Sequence, residues 1–237
     1  MQCVILAGGR ATRMRPLTDS IPKALIPAGG RPFVDHQLDW LAGHGVTDVV
    51  LSVGYRGDAI RAHVGDGARH GLRVRYVDEG DQLRGTAGAL RLALHEGALE
   101  ESFLVTYGDS FLPIDFGDVF RAFVASGQPA LMTVFPNGGR WDTSNVIFDG
   151  RMVTLYDKQR RTRPPEDFTF IDYGLSALSR QAIADEVPAD GVSDLATLFH
   201  ALSVRGQLAG YEAAVRFYEI GSLAGLKDFE QWLNRDR

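Results

Sequence analysis

The sequence predicts an α/β fold, a single domain built on a mixed, mainly parallel sheet flanked by helices. Three observations carry this. Residues 2–7 (QCVILA) form an unbroken apolar run, the pattern of a strand buried on both faces. Strand-like and amphipathic helix-like segments then alternate through the first 107 residues, the rhythm of βαβ units. Finally, 237 residues with 45% hydrophobic and 23% charged side chains suffice for one sizeable core.

The elements follow in order. Val34, Leu38 and Leu41 stand at i, i+4 and i+7, one face of a helix that Gly43 and Gly45 end. Residues 46–53 are a β-branched strand, 58–64 a short helix, and 72–77 an alternating strand. Residues 87–94 are helical and 103–107 (FLVTY) form a fourth strand. The second half is less regular. Short strands are expected at 130–135, 145–148, 152–156 and 170–175, with a basic, proline-containing loop at 160–167. Leu195, Leu198, Phe199 and Leu202 mark one amphipathic helix; Leu226, Phe229 and Leu233 mark another, with Ser222 as its N-cap. With no repeat or linker, one domain over 1–237 is expected.

Composition excludes several classes. A net charge of −5 gives no support to nucleic-acid or membrane-surface binding, so any anion site must be local. The single cysteine, Cys3, rules out a disulfide framework or cysteine-based zinc site within one chain. No apolar run approaches the roughly 18 residues of a membrane span, and, with the first strand opening at residue 2, no signal peptide is expected. A cytoplasmic enzyme, monomer or homodimer, is expected. The six histidines show no ligand spacing.

The loop after the first strand concentrates positive charge: LAGGRATRMRPLTDSIPKAL, residues 6–25. Gly8 and Gly9 let backbone approach a ligand; Arg10, Arg13 and Arg15 offer guanidinium forks suited to phosphate, and Lys23 follows Pro22. Neither a Gly-Lys-Ser/Thr nor a G-x-G-x-x-G pattern is present. Read as a solvated basic turn, the stretch leaves its glycine pair and Pro-Lys unexplained. Asp109, after Gly108 at the end of the fourth strand, is placed either to hold Mg2+ or to cap a turn. RGTAGAL, residues 84–90, opens a helix whose first N–H groups would be free, or else is a close-packing glycine turn.

The opening loop resembles the signature of the sugar-1-phosphate nucleotidyltransferases, L-x-G-G-x-G-T-R-L-x-P-L-T-x-x-x-P-K. It matches at Leu6, Gly8, Gly9, Thr12, Arg13, Pro16, Leu17, Thr18, Pro22 and Lys23, and departs at Ala11. The resemblance extends from about residue 2 to 230. It implies a Rossmann-like sheet of the kind shared with GT-A glycosyltransferases, with a nucleotide half at about 1–112 and a sugar-phosphate half at about 113–237. It implies that Leu6, Ala7, Gly8, Gly9, Arg10, Ala11 and Thr12 wrap the triphosphate, and that Gln82, Gly85, Thr86 and Gly88 lie by the base. Arg13 would assist pyrophosphate departure, and Lys23 would contact the reacting phosphates. Asp109 and Glu219 would hold Mg2+, with Glu219 standing where the family has Asp. Asn145, Asp157, Lys158, Asp172 and Gly174 would meet the sugar phosphate. The implied partners are a nucleoside triphosphate and a sugar-1-phosphate.

The short length is similar to that of heptose- and mannose-1-phosphate guanylyltransferases, which makes GTP with D-glycero-D-manno-heptose-1-phosphate or mannose-1-phosphate the expected pair. Cytidylyl, uridylyl or thymidylyl transfer to another phosphate or phosphonate is the alternative. Two readings of other classes compete. A GT-A glycosyltransferase would carry Asp-x-Asp, but Asp109 is followed by Ser110 and Phe111. A non-catalytic sugar-nucleotide-binding paralogue would explain Ala11 and Glu219, but not the retention of Arg13, Lys23 and Asp109.

Overall fold

The structure, a computed structural model, describes residues 1–9, 14, 17–80 and 82–235. The strands are β1 (Gln2–Leu6), β2 (Pro27–Ala28), β3 (Arg31–Pro32), β4 (Asp48–Val53), β5 (Arg73–Asp78), β6 (Ser102–Tyr107), β7 (Ser110–Phe111), β8 (Ala130–Pro136), β9 (Val146–Phe148), β10 (Val153–Tyr156), β11 (Phe170–Ser179), β12 (Leu208–Glu212) and β13 (Tyr218–Glu219). The helices are α1 (Phe33–Gly43), α2 (Gly57–Val64), α3 (Gly85–His95), α4 (Phe116–Ser126), α5 (Arg180–Glu186), α6 (Leu195–Val204) and α7 (Leu223–Leu233). No described helix is long and apolar enough to cross a membrane.

Nine strands form one mixed sheet. β5, β4, β1 and β6 lie side by side and parallel. β11 then runs antiparallel between β6 and β8, and β12 closes that side parallel to β8. β9 and β10 attach at the N-terminal end of β11. The chain leaves β1 for β4 and β5 on one side and returns to β6 on the other. The topological switch therefore falls between β1 and β6, where ligands of open α/β sheets bind.

Alternation along the strands assigns two cores. Cys3, Ile5, Val49, Leu51, Leu104, Leu131 and Ile171 face one layer with α1, α2 and α4. Val4, Val50, Phe103, Val105, Met132, Val134 and Leu178 face the other with α3, α5 and α6. Each fully buried large side chain, such as Phe103 or Phe199, contributes about 1.5–3 kcal/mol by leaving water. A third cluster places Phe229 of α7 against Phe33, Phe111, Tyr218 and Ile220.

The expected elements occur close to their predicted bounds. Seven went unpredicted: α4, α5, β12 and the two-residue strands β2, β3, β7 and β13. α4 was legible, since Phe116, Val119 and Phe123 repeat at i, i+3 and i+7, all buried, behind an Asp115 cap that accepts from Asp118 N. β11 is longer than predicted because a bulge interrupts it. Its register on β8 shifts between Asp172 and Ser176, and Gly174 sits there at φ +101°, open to glycine at little cost.

Candidate active site

The loops after β1 and β6 meet because Leu6 pairs with Tyr107 across parallel strands. Gly108 N donates to Leu6 O at 2.9 Å, and a Cβ on Gly108 would stand 2.9 Å from that of Ala7. Gly8 is also close-packed: a Cβ there would stand 2.5 Å from Glu79 Oε1 and displace that side chain. Gly9 differs, with nothing within 4 Å of its would-be Cβ. It borders a cavity of about 100 Å3 lined by Leu6, Ala7, Lys23, Tyr107, Gly108 and Asp109. Of the glycine pair, Gly8 thus serves packing and Gly9 leaves room for a ligand.

Lys23 begins a 3-10 turn after Pro22, and its Nζ donates to Asp109 Oδ2 at 2.7 Å. Their side chains retain 15% and 28% exposure, so the pair is sheltered but reachable. Asp109 is held from two sides. Ile220 N donates to its carbonyl at 2.9 Å. From α1, the buried Gln37 Nε2 donates to Tyr107 O at 2.9 Å and Ser110 O at 2.7 Å, fixing the turn around Gly108–Asp109. β13 pairs with β7 so that Glu219 stands opposite Ser110. The two carboxylates expected to hold a metal, 110 residues apart in sequence, therefore lie on adjoining backbone. Ser222 caps α7 as expected, accepting from Gly225 N at 3.1 Å.

The surrounding field is acidic. Burial pushes the Tyr107 hydroxyl well above its ordinary value, and the Asp172, Asp194, Asp109 and Glu219 carboxylates add to that. Lys23 offsets part of this charge. The Asp109 carboxylate beside the Lys23 ammonium and the glycine-lined cavity, with Glu219 on the adjoining strand, offers the oxygen donors a hard divalent cation prefers. Among the described residues no group of three or more candidate ligands gathers, so substrate oxygens would have to complete the shell.

The second glycine loop corrects one expectation. Two of the first four N–H groups of α3 are not free: Ala87 N and Gly88 N both donate to Ser193 O, at 3.0 and 3.1 Å. Gly85, at φ +74°, makes room for that same carbonyl. Thr86 Oγ1 donates to Asp194 Oδ1 at 3.2 Å and accepts from Leu195 N at 2.8 Å. These residues thus seat the loop before α6. Of the polar run ahead of them, Glu79 turns inward, accepting from Arg84 N at 2.9 Å, and burial raises its carboxyl. Gln82 is exposed.

On the acceptor side, Asn145, Asp172 and Gly174 come together. Asp172 N donates to Asn145 Oδ1 and Gly174 N to Asp172 Oδ1, each at 3.0 Å. Burial pushes the Asp172 carboxyl up to about 6, only partly opposed by Gly174 N, Lys158 and Tyr156. Asp157 departs from its expected role. Its oxygens accept from Gln159 N, Arg161 N, Thr162 N and Thr162 Oγ1 at 2.7–3.0 Å. Burial works against ionisation, but the Thr162 hydroxyl and these N–H groups outweigh it and hold the carboxyl at about 2. Asp157 fastens this loop, with three of the four bonds on Oδ2 and one on Oδ1. Lys158 Nζ stands 3.9 Å from Asp194 Oδ2, and both side chains are more than half exposed.

Arg10, Ala11, Thr12 and Arg13 lie outside the described residues. Sequence reasoning missed Gln37, Tyr107 and Asp194. Only Asp194 carried a signal, as the acidic residue just before the amphipathic run of α6, where it caps Ala196 N.

Residues 2–144, spanning β1, the charged loop and β6–β7, match the family model described as Nucleotidyl transferase. The chain belongs to this family. Among family relatives, it is 41% identical to a mannose-1-phosphate guanylyltransferase of Mycobacterium tuberculosis, over 94% of this chain and 61% of that one. It is 32% identical to a glucose-1-phosphate thymidylyltransferase of Streptomyces antibioticus, over 72% of this chain and 48% of that one. The chain thus spans about half to three-fifths the length of these relatives. The fold matches that of the inositol-1-phosphate CTP transferase from T. maritima with a TM-score of 0.78, at 18% identity, covering 99% of this chain and 95% of that one.

Proposed function

We propose that the chain transfers a nucleoside monophosphate from a nucleoside triphosphate to a sugar-1-phosphate, releasing pyrophosphate. The observation that carries this is the Lys23–Asp109 pair at the β1/β6 switch, with Glu219 brought alongside by β7–β13 pairing. A phosphate oxygen of the acceptor attacks the α-phosphorus in line. A new P–O bond forms, the bond to the β-phosphate bridging oxygen breaks, and pyrophosphate leaves. The attacking oxygen is already anionic, so no general base is needed; positioning and charge neutralisation suffice.

Lys23 neutralises charge at the α-phosphate, and Arg13, by its match to the family signature, neutralises the departing pyrophosphate. Asp109 and Glu219 are the residues that would hold Mg2+, which would supply charge neutralisation to the reacting phosphates. Asn145 and Asp172 orient the acceptor, and Lys158 contacts its phosphate. The greater identity to the guanylyltransferase favours GTP with a manno-type acceptor, D-glycero-D-manno-heptose-1-phosphate or mannose-1-phosphate, over thymidylyl transfer.

Pyrophosphate release across ATP, GTP, CTP, UTP and dTTP against a panel of sugar-1-phosphates tests this. The expected result is highest kcat/KM with GTP and a manno-type acceptor, and no turnover without a divalent cation. Release from no pair would refute the transfer reaction; release with another nucleotide would refute only the substrate choice.

A further inference from the structure

Two loops on the acceptor side flank an open surface cavity of about 380 Å3 that the reaction above leaves unused. Both walls are built by buried polar clamps. In the loop from β8 to β9, the fully buried Asn137 donates from Nδ2 to Asp142 O at 2.5 Å and Ser144 Oγ at 3.2 Å, and its Oδ1 accepts from Trp141 N at 3.2 Å. Trp141 is pinned in turn, with Arg216 Cζ 3.7 Å above its ring and Arg216 Nη2 3.2 Å from Asp228. Opposite, the Asp157 clamp organises the loop from β10 to β11, and Arg160 N donates to Asp157 O at 3.0 Å.

That clamp holds Arg160 at φ +50°, in the left-handed region. A non-glycine residue pays on the order of 1 kcal/mol or more there, and such conformations persist where surrounding structure enforces them. Arg160 and Arg140 both line the cavity, and among the described residues neither pairs with a carboxylate. Arg140 makes one long bond, Nε to Asn137 O at 3.5 Å. The one acid in the lining, Asp142, accepts from its neighbour Thr143 N. Two guanidiniums without a direct ion-pair partner, against the single Asp142 carboxylate, leave a net positive lining beside a fixed indole, a site for a carboxylate or phosphate monoester. The cavity is tied to the acceptor residues through the chain: Ser144 in its wall is followed directly by Asn145, whose Oδ1 accepts from Asp172 N.

We propose that this cavity, through Arg160 and Arg140, binds a second anionic group on the acceptor, so that a manno-type sugar-1-phosphate carrying a further carboxylate or phosphate is used better than mannose-1-phosphate itself. The inference rests on the acceptor reading of Asn145 and Asp172. Its test is kcat/KM for mannose-1-phosphate, mannose-1,6-bisphosphate and mannuronic acid-1-phosphate, by pyrophosphate release with the best nucleotide, for the wild type, Arg160→Ala and Arg140→Ala. One charge-assisted contact typically changes affinity on the order of tenfold or more. The wild type is expected to favour at least one doubly charged acceptor by that factor, and the preference is expected to fall toward one in Arg160→Ala. Equal use of all three acceptors, or a preference unchanged in both variants, overturns the cavity assignment while leaving transfer intact. Release from none of them strikes at the transfer reaction itself, and at the cavity assignment with it.

Discussion

Asp172 shows how one side chain links burial to substrate binding. Burial lifts its carboxyl to about 6, so it becomes a full hydrogen-bond acceptor for a sugar hydroxyl only above that pH. The acceptor KM should fall as pH rises through about 6 in the wild type and lose that dependence in Asp172→Asn, measured by initial rates between pH 5 and 8. The stability consequence has the opposite sign. A raised carboxyl contributes stability below its unfolded value of about 3.9 and loses it as pH rises through about 6. Denaturant titrations of Asp172→Asn should therefore show a flatter stability profile than the wild type across that window. Asp157 is the contrasting case. Its carboxyl is held at about 2 and stays ionised throughout that range. Asp157→Ala should cost about 1–3 kcal/mol and loosen residues 157–162.

At the scale of elements, the site depends on short strands that few local signals announce. β7 and β13 are two residues each, yet they set Glu219 beside Asp109. A Cβ on Gly225 of α7 would fall onto the Glu219 carbonyl. Gly225→Ala should thus lower kcat at least tenfold with the fold retained, read by kinetics beside circular dichroism, through displacement of β13. Most of the sheet was legible because its strands are buried on both faces and read as apolar runs. The charged loop and Asp109 were legible as a pattern and as a resemblance. The β7–β13 pairing was not, because register between remote dipeptides leaves no periodicity. For Gly85 the sequence left packing and ligand approach open, and the structure shows the packing: a glycine needed to seat Ser193 looks, in sequence, the same as one needed for a ligand. Asp157 was misread because nothing in the sequence shows that four neighbouring donors fold back onto it.

For the whole molecule, α7 joins stability to the active site. Phe229 is fully buried and its ring lies 4.9 Å from that of Phe111 in β7, directly behind Asp109 and Ser110. Phe229→Ala should cost about 3–5 kcal/mol and lower the melting temperature by roughly 10 °C, with loss of activity at temperatures where the core still holds. The central claim is that nucleotidyl transfer occurs where β1 and β6 diverge, on Lys23, Asp109 and Glu219. Pyrophosphate release by Asp109→Asn and Lys23→Met, with the wild type's best substrate pair at saturation, addresses it most directly. Both variants should fold normally and turn over about 10²–10³-fold more slowly, as expected when one charge-stabilising contact is lost. Folded variants with wild-type turnover would contradict it.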